Sequence, residues 1–255
     1  MKGKIFISTH HKAGTQWLRT VFANFCRQRK IFFFDLTRYA RQAGLPEDSL
    51  VPLCDYLARE GVGPVCLFDD HSRIVAAALN RSEVFSNQFR GLHMVRDPRD
   101  IVISGARYHL KSDEQWLHAP QSDFDGQTYR QKLESFETFS GQVLFEADHA
   151  AGSTAQDMAA FPESDRVMTL RYEDMVEDRK LTRFREAFRF LELPEKARPV
   201  FDEIVRRHSL FGEAVVRGEH VSNGRPRQWQ QALDAETAQA LHDRYAGLLF
   251  RYGYA

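Results

Sequence analysis

Five short apolar runs constrain the fold of this chain more than any other feature. The runs are mostly continuous rather than alternating, and β-branched and aromatic residues are common in them. This pattern is typical of strands that are covered on both faces of a parallel sheet. The runs are KIFIST (4–9), KIFFFD (30–35), PVCLFDD (64–70), GLHMVRD (91–97) and RVMTLRY (166–172).

Helical patterns lie between these runs. Apolar residues recur at i, i+3 and i+4 after the first run and again after the last, in the groups Trp17, Leu18, Val21, Phe22, Phe25 and Leu181, Phe184, Phe188, Leu191. Alternating strands and helices predict an α/β fold: a three-layer, doubly wound and mainly parallel sheet. The length of 255 residues suits a single domain spanning residues 1–255. Ligands of such sheets bind at the carboxyl ends of the strands.

The segment from about residue 110 to 163 interrupts this alternation. It contains KSDEQWLHAPQSDFDGQ, then the helix-like LESFETFSGQVLF, then AAGSTAQDM. An insertion of this length with its own aromatic residues is typical of a lid or binding wall over a ligand site. A purely structural helical addition to the sheet is an equally good interpretation.

Charge and cysteine content limit the functional class. Thirty-five basic residues balance thirty-five acidic ones, so no global field favours nucleic acid or a membrane surface, and any anion site must be local. Cys26, Cys54 and Cys66 show no CxxC spacing, which predicts a reducing, cytoplasmic location. No leader precedes the first run, and no apolar run approaches the roughly 20 residues that a membrane span needs.

The loop HHKAGT (10–15) joins the first strand to the first helix. Ala13, Gly14 and Thr15 are small enough for backbone N–H groups to surround an anion, and the helix dipole adds to them. Thr15 adds a hydroxyl donor and Lys12 a mobile positive charge. An ordinary strand-to-helix turn is the alternative. A Walker A loop places its lysine after the last glycine, whereas Lys12 precedes Gly14, which argues against a nucleoside triphosphatase.

A second polar motif, VRDPRDIVISGARYH (95–109), follows the fourth run. Asp97 and Pro98 predict a helix start, so Arg96 lies at a strand end and Ser104 about two turns along the next helix. The two side chains can hold one phosphate between them, because a planar guanidinium binds phosphate through two parallel hydrogen bonds. A surface Arg–Asp network is the alternative.

The two loops together resemble motifs of the cytosolic sulfotransferase family, K-[SA]-G-T-x-W and R-[ND]-P-[KR]-D-x-x-x-S. The resemblance implies 3′-phosphoadenosine-5′-phosphosulfate (PAPS) as co-substrate. Lys12 would contact the bridging oxygen, the loop amides and Thr15 the 5′-phosphate, and Trp17 the adenine. Arg96 and Ser104 would bind the 3′-phosphate. Ala13 and Gln16 replace the hydroxyl residues that are usual in the family.

Weaker similarities follow in the same order. LRYEDM (170–175) resembles a family segment that brings Tyr172 near the adenine, although strand-end packing with a helix cap at Asp174 is an alternative. In RHSLFGE (207–213), the resemblance implies Ser209 and Phe211 around the adenine. Within VVRGEHVSNGRPRQW, the partial match to RKGxxGDW assigns the 3′-phosphate to Arg217-Gly218. Arg225 and Arg227 are rivals, and a solvated basic turn is the alternative.

Transfer of the sulfuryl group of PAPS to the hydroxyl of an acceptor molecule requires removal of the hydroxyl proton, because even phenols have a pKa near 10. His71 closes the third run, twenty-five residues before Arg96, and the resemblance implies that it is the general base. Lys12 would stabilise charge on the leaving oxygen. Rival histidines are His10, His11 and His109. A metal site at Asp69-Asp70-His71 is disfavoured, because adjacent strand residues point to opposite faces.

These features predict a PAPS-dependent sulfotransferase that acts on the hydroxyl of a small molecule. A small-molecule P-loop kinase using Mg·ATP and a catalytically silent nucleotide-binding protein of the same fold are the alternatives. The acceptor and the oligomeric state stay open. Candidate walls of the acceptor site, with core or lid packing as the alternative for each, are Phe32, Phe33, Phe34, Tyr39, Trp116 and Tyr129.

Overall fold

A computed structural model describes residues 3–209 and 224–255 of the chain. All five apolar runs form strands, and every strand pair is parallel, in the order β2-β3-β1-β4-β5. The chain reverses its direction of progress across the sheet around β1, which creates the kind of switch point where ligands of α/β sheets bind. The strands are β1 Lys4–Ser8, β2 Phe32–Asp35, β3 Val65–Asp69, β4 Arg90–Val95 and β5 Val167–Arg171.

Helices connect the strands. They are α1 Thr15–Arg29, α2 Leu36–Ala43, α3 Val51–Ala58, α4 Arg73–Arg81, α5 Glu83–Gln88, α6 Pro98–His109, α7 Tyr129–Glu134, α8 Phe139–Asp148, α9 Ala150–Ala160, α10 Tyr172–Glu177, α11 Thr182–Phe190, α12 Arg198–His208, α13 Trp229–Ala232 and α14 Ala235–Tyr252. Short 3₁₀ turns form at Glu47–Leu50, Gln115–His118, Ser122–Phe124 and Glu195–Ala197.

The sheet is covered on both faces, which confirms the predicted three-layer fold. Side chains of a strand alternate between its faces, so Ile5 and Ile7 enter one core while Phe6 enters the other. The first core is built with α1, α10, α11 and α12, and the second with α2, α3, α4 and α5. Phe6 is completely buried, as expected of a large side chain whose burial contributes about 1.5–3 kcal/mol.

The chain divides into two compact units. Within the described residues, the first comprises 3–95 and 157–209 and contains the sheet, and the second comprises 96–156 and 224–255. The second unit has its own apolar cluster, formed by Leu117, Phe124, Tyr129, Leu133 and Phe145. It begins at Arg96, ahead of the interruption expected near residue 110. The single-domain organisation stays a prediction.

Two local predictions are wrong. The stretch LESFETFSGQVLF forms two helices instead of one, because α7 ends at Glu134 and the Thr138 side chain caps α8 by accepting a hydrogen bond from the Gly141 amide. Asp174 is not a helix cap. The cap position of α10 is Arg171, and Asp174 lies in the first turn and forms an ion pair with Arg171 at 3.1 Å.

The three cysteines are buried free thiols. Across residues 3–209 and 224–255, no helix is both long and apolar enough to span a lipid bilayer.

Candidate active site

The loop after β1 is a tight turn that leads into α1. The Ala13 amide donates to the His10 carbonyl at 3.0 Å, and Gly14 has a φ of 91°. Lys12 also has a positive φ, of 62°, which is uncommon for a side chain other than glycine. The first amides of α1 have no acceptor within the helix, and its first turn carries no acidic residue. A positive helix end thus follows the carboxyl end of β1, as an anion site requires.

Hydrogen bonds within this loop limit what each residue offers a ligand. The Thr15 hydroxyl donates to the His10 carbonyl at 2.9 Å and accepts from the Thr9 hydroxyl at 3.0 Å. The amide of the buried Ala13 is used inside the turn. The Gln16 side chain is exposed and accepts from Arg19 at 3.2 Å. The α1 amides are therefore the stronger candidates for binding a phosphosulfate, and the contact of Lys12 with such a ligand stays a prediction.

Three residues singled out for nucleotide binding meet beside this loop. A Cβ added to Gly14 would lie 3.0 Å from Cδ2 of Tyr172. The rings of Tyr172 and Trp17 meet edge to face with centroids 6.2 Å apart. Trp17 also packs on Phe184 and is only 6% exposed, so it is largely a core residue. Its contact with an adenine stays a prediction.

His71 lies in a turn two residues beyond β3 rather than at the strand end itself. The hydroxyl of the next residue, Ser72, donates to the Thr9 carbonyl at 2.7 Å and accepts from the Ser8 hydroxyl at 2.8 Å. These bonds hold the His71 turn against the end of β1, where the loop HHKAGT (10–15) begins.

The Asp69 carboxylate stabilises the turn that contains His71 through hydrogen bonds. It accepts hydrogen bonds from the Thr37 hydroxyl at 2.9 Å and from the Val75 amide at 2.8 Å, and burial raises the pKa of Asp69 to about 6. It is completely buried and therefore serves the turn rather than a ligand.

The His71 imidazole is accessible and has carboxylate neighbours. Its side chain is 32% exposed, and Nδ1 lies 3.5 Å from Oε1 of Glu47 and 3.9 Å from Oδ1 of Asp70. Desolvation lowers the pKa of His71, but the hydrogen bond to Glu47 and the nearby carboxylates outweigh it, so that the pKa lies above its ordinary value. An accessible imidazole with a carboxylate partner can act as a base.

Two rival histidines are buried. His10 lies with Nε2 2.7 Å from Nε2 of His93, and burial lowers the pKa of His10 to about 3. In the second unit, Nδ1 of His109 is 2.9 Å from Oε2 of Glu146, which also accepts from the Tyr129 hydroxyl at 2.8 Å. Tyr129 thereby takes the core-packing role, its alternative to an acceptor wall. The third rival, His11, is half-buried in the loop.

The predicted start of α6 is confirmed. Asp97 caps the helix by accepting from the Arg99 amide at 3.0 Å, and Pro98 is the first helical residue. Arg96 is 4% exposed, with Nη2 3.6 Å from Oδ2 of Asp100. Ser104 is half-buried further along the same helix.

A C-terminal segment, residues 225–229, docks on the start of α6 within the second unit. Arg96 donates to the Arg225 carbonyl at 3.4 Å, and Asp100 accepts from the Trp229 amide at 3.0 Å. The Arg99 guanidinium lies 3.9 Å above the Trp229 ring. The segment carries the exposed side chains of both rivals for the 3′-phosphate, Arg225 and Arg227. This docking was not predicted from the sequence, in which the aromatic ring of Trp229 is its local signal.

Of the remaining nucleotide candidates, Ser209 lies at the C-terminal end of α12. Ser209 is buried, and its hydroxyl donates to the Arg206 carbonyl at 3.2 Å. Phe211, Arg217 and Gly218 lie outside the described residues. Among the residues that the structure does describe, no group of three or more His, Cys, Asp or Glu is arranged to hold a metal ion.

The five-stranded parallel sheet defines an α/β protein of the P-loop-like class, together with the loop HHKAGT (10–15), which follows the central strand and leads into the positive end of α1. The model of the sulfotransferase domain family matches residues 2–252, so the chain belongs to this family. Sulfuryl transfer is accordingly the general class of reaction to which the chain is assigned.

Solved structures agree on the fold. The chain is similar to mouse sulfotransferase SULT7A1 complexed with PAP, with 13% identity and a TM-score of 0.60 over 98% of this chain and 84% of that one. It is also similar to the sulfotransferase domain from the curacin biosynthetic pathway, with 14% identity and a TM-score of 0.50 over 96% and 98% of the two chains. A sequence search of curated proteins finds no match.

Proposed function

We propose that this protein transfers a sulfuryl group from PAPS to a hydroxyl of a small-molecule acceptor, with His71 as general base. The observation that carries the proposal is the link between the His71 turn and the phosphosulfate loop. Ser72 hydrogen-bonds Ser8, the last residue of β1, and Thr9 directly after it, and the loop that leads into α1 starts at the next residue. The candidate base and the candidate anion site are therefore held by neighbouring strand ends of one rigid sheet.

The donor would be bound by two sets of residues. The first amides of α1 and Lys12 would hold the 5′-phosphosulfate, next to Gly14 and Tyr172. Arg96 and Ser104 would hold the 3′-phosphate with Arg225 or Arg227 from the docked segment. The PAP in the SULT7A1 structure supports a 3′-phosphorylated adenosine nucleotide as ligand, since PAP is what remains of PAPS after transfer. Ser209 and Phe211 are assigned to the adenine. Arg217-Gly218 is assigned to the 3′-phosphate.

The reaction needs one bond formed and one broken. The acceptor oxygen attacks sulfur in line with the bridging oxygen, the new oxygen–sulfur bond forms, and adenosine 3′,5′-bisphosphate departs with the electron pair. The acceptor proton moves to His71, a step that contributes about 10²- to 10⁴-fold in rate. Lys12 stabilises the negative charge that develops on the departing phosphate oxygen.

Thermal unfolding in the presence of nucleotides tests the donor assignment. A ligand at about 100 times its Kd stabilises a protein by about 2.7 kcal/mol. For a chain of this size this stabilisation corresponds to a rise in Tm of about 5–10 °C. Adenosine 3′,5′-bisphosphate should raise the Tm more than AMP at equal concentration, and Arg96→Lys should remove most of the difference, because an ammonium cannot replace the guanidinium fork.

Equal shifts from the two nucleotides would contradict the 3′-phosphate assignment. A larger shift from Mg·ATP than from adenosine 3′,5′-bisphosphate would favour the kinase alternative instead.

A further inference from the structure

Glu47 contacts the candidate base although it lies in a different element. It opens the 3₁₀ turn Glu47–Leu50, between α2 and α3. Its two carboxylate oxygens have different neighbours: Oε1 lies 3.5 Å from Nδ1 of His71, and Oε2 lies 3.8 Å from Nη1 of Arg73. Arg73 is in turn held by Asp157, with Nε 2.8 Å from Oδ2. The result is a short polar chain that ends at the imidazole.

We propose that Glu47 is the positioning residue for His71, orienting the imidazole so that Nε2 is its basic atom. The inference rests on the proposed role of His71 as base. A neutral imidazole has one N–H donor and one acceptor nitrogen. When Nδ1–H donates to the Glu47 carboxylate, the lone pair is on Nε2, the nitrogen that the acceptor's proton then reaches. The imidazolium formed in the transition state lies beside a negative charge that stabilises it.

Asp70 is also near His71 but is less suited to this role. Its Oδ1 is 3.9 Å from Nδ1, and its Oδ2 is bound by Arg19 at 2.9 Å. Arg19 therefore compensates much of the Asp70 charge. By contrast, the hydrogen bond with His71 is the largest influence on Glu47 and lowers the pKa of that carboxyl, so Glu47 is ionised at neutral pH.

The charged groups around His71 come from several elements of the first unit. Glu47 comes from the 3₁₀ turn and Asp69 and Asp70 from the end of β3, while Arg73 from α4 and Asp157 from α9 complete the chain. His10, at the end of β1, also interacts electrostatically with His71 and is neutral near pH 7. The carboxylates outnumber the guanidinium groups of Arg73 and Arg19, which agrees with the raised pKa of His71. Loss of the Glu47 charge should therefore lower this pKa.

The first readout needs no acceptor. NMR titration of the His71 Cε1–H signal in the full chain should give a lower pKa in Glu47→Gln than in the wild type. Asp70→Asn is the matched control, since it also removes one carboxylate beside the ring, and we expect a smaller decrease from it. Arg73→Gln should shift the pKa in the opposite direction, because it removes the cation that competes for Glu47. This variant keeps the inference testable should Glu47→Gln fail to fold.

The second readout is transfer of labelled sulfate from PAPS to a phenol. In Glu47→Gln we expect kcat to fall by about 10- to 100-fold, with an unchanged KM for the phenol and unchanged adenosine 3′,5′-bisphosphate binding. The acid limb of the rate profile should move to lower pH, following the His71 pKa. A structural role alone would lower the amount of folded enzyme without moving this limb.

An unchanged His71 pKa in both Glu47→Gln and Arg73→Gln would overturn the inference, as would an unchanged kcat in Glu47→Gln. Failure of the underlying proposal has a different signature. If His71→Ala transfers sulfate as fast as the wild type, the base has been misassigned whatever Glu47 does.

Discussion

Gly14 is the position where the loop geometry is most sensitive to one added methyl group. Its φ of 91° lies in the left-handed region, where an L side chain costs roughly 1–2 kcal/mol. A Cβ there would also lie 3.0 Å from Tyr172, whose ring packs edge to face on Trp17. Gly14→Ala should therefore lower the Tm by about 2–8 °C and move the Tyr172 ring or the loop itself.

Gly61→Ala provides a matched control. Gly61 has a φ of 88°, nearly that of Gly14, but nothing lies within 4 Å of its added Cβ. Both variants carry similar backbone strain, so the Tm should fall in both, and it should fall further in Gly14→Ala because of the added contact with Tyr172. Only Gly14→Ala changes the loop, so only this variant should bind adenosine 3′,5′-bisphosphate more weakly, by about 10-fold or more, in isothermal titration calorimetry.

Equal nucleotide affinity in Gly14→Ala, Gly61→Ala and the wild type would contradict a phosphosulfate site at this loop. The amides at the start of α1 would then not be the phosphosulfate site, whatever the two variants do to stability.

Three further predictions concern other parts of the chain. Gly105→Ala would bring a Cβ to 2.5 Å from Oε1 of Glu146, a carboxylate held by His109 and Tyr129, so urea denaturation should show a loss of about 1–3 kcal/mol. Gly247→Ala on α14, where the added Cβ meets nothing within 4 Å, should instead be neutral or stabilising, and equal losses would contradict the packing argument. His10 has a folded-state pKa of about 3, below its ordinary value of 6.5, so stability is lost as the pH falls from 6.5 towards 3, at up to about 1.4 kcal/mol per pH unit. In denaturant titrations between pH 7 and pH 5, the free energy of unfolding of His10→Asn should therefore fall by about 2 kcal/mol less than that of the wild type. The opposing contribution of Asp69 is common to both proteins. An equal dependence of unfolding free energy on pH in the two proteins would contradict the low pKa of His10. The double variant Arg225→Ala/Arg227→Ala should bind adenosine 3′,5′-bisphosphate about 10-fold more weakly while its binding of AMP is unchanged. If the preference for adenosine 3′,5′-bisphosphate over AMP is unaffected, Arg217 is the better candidate for binding the 3′-phosphate.

The sheet was predictable because parallel strands buried on both faces leave continuous apolar runs in the sequence. The same logic predicted Lys12 beyond one strand end and His71 at another, since carboxyl ends of parallel strands share one edge of a sheet, although His71 lies two residues beyond β3. The helices of the second unit were harder to predict. Phe136 and Phe139 continue an apolar pattern across a helix break, and only the Thr138 cap marks where α8 begins.

The contacts that were not predicted from the sequence are tertiary contacts between polar groups far apart in the chain. Glu47 has no local pattern that links it to His71, and the pair forms only because the turn before α3 lies against the end of β3. Docking of residues 225–229 depends on Asp100 accepting a backbone N–H, which any residue at position 229 except proline could donate. Such contacts leave no periodic signal in a single sequence.

Transfer of labelled sulfate from PAPS to a panel of phenols, sterols, sugars and peptide tyrosines is the decisive assay of sulfuryl transfer by this protein. The wild type should give a labelled product and stoichiometric adenosine 3′,5′-bisphosphate. His71→Ala should transfer sulfate at least about 100-fold more slowly, with nucleotide binding intact. Labelled product formed at the wild-type rate by His71→Ala, or phosphate transferred from Mg·ATP in place of sulfate from PAPS, would contradict the proposed reaction.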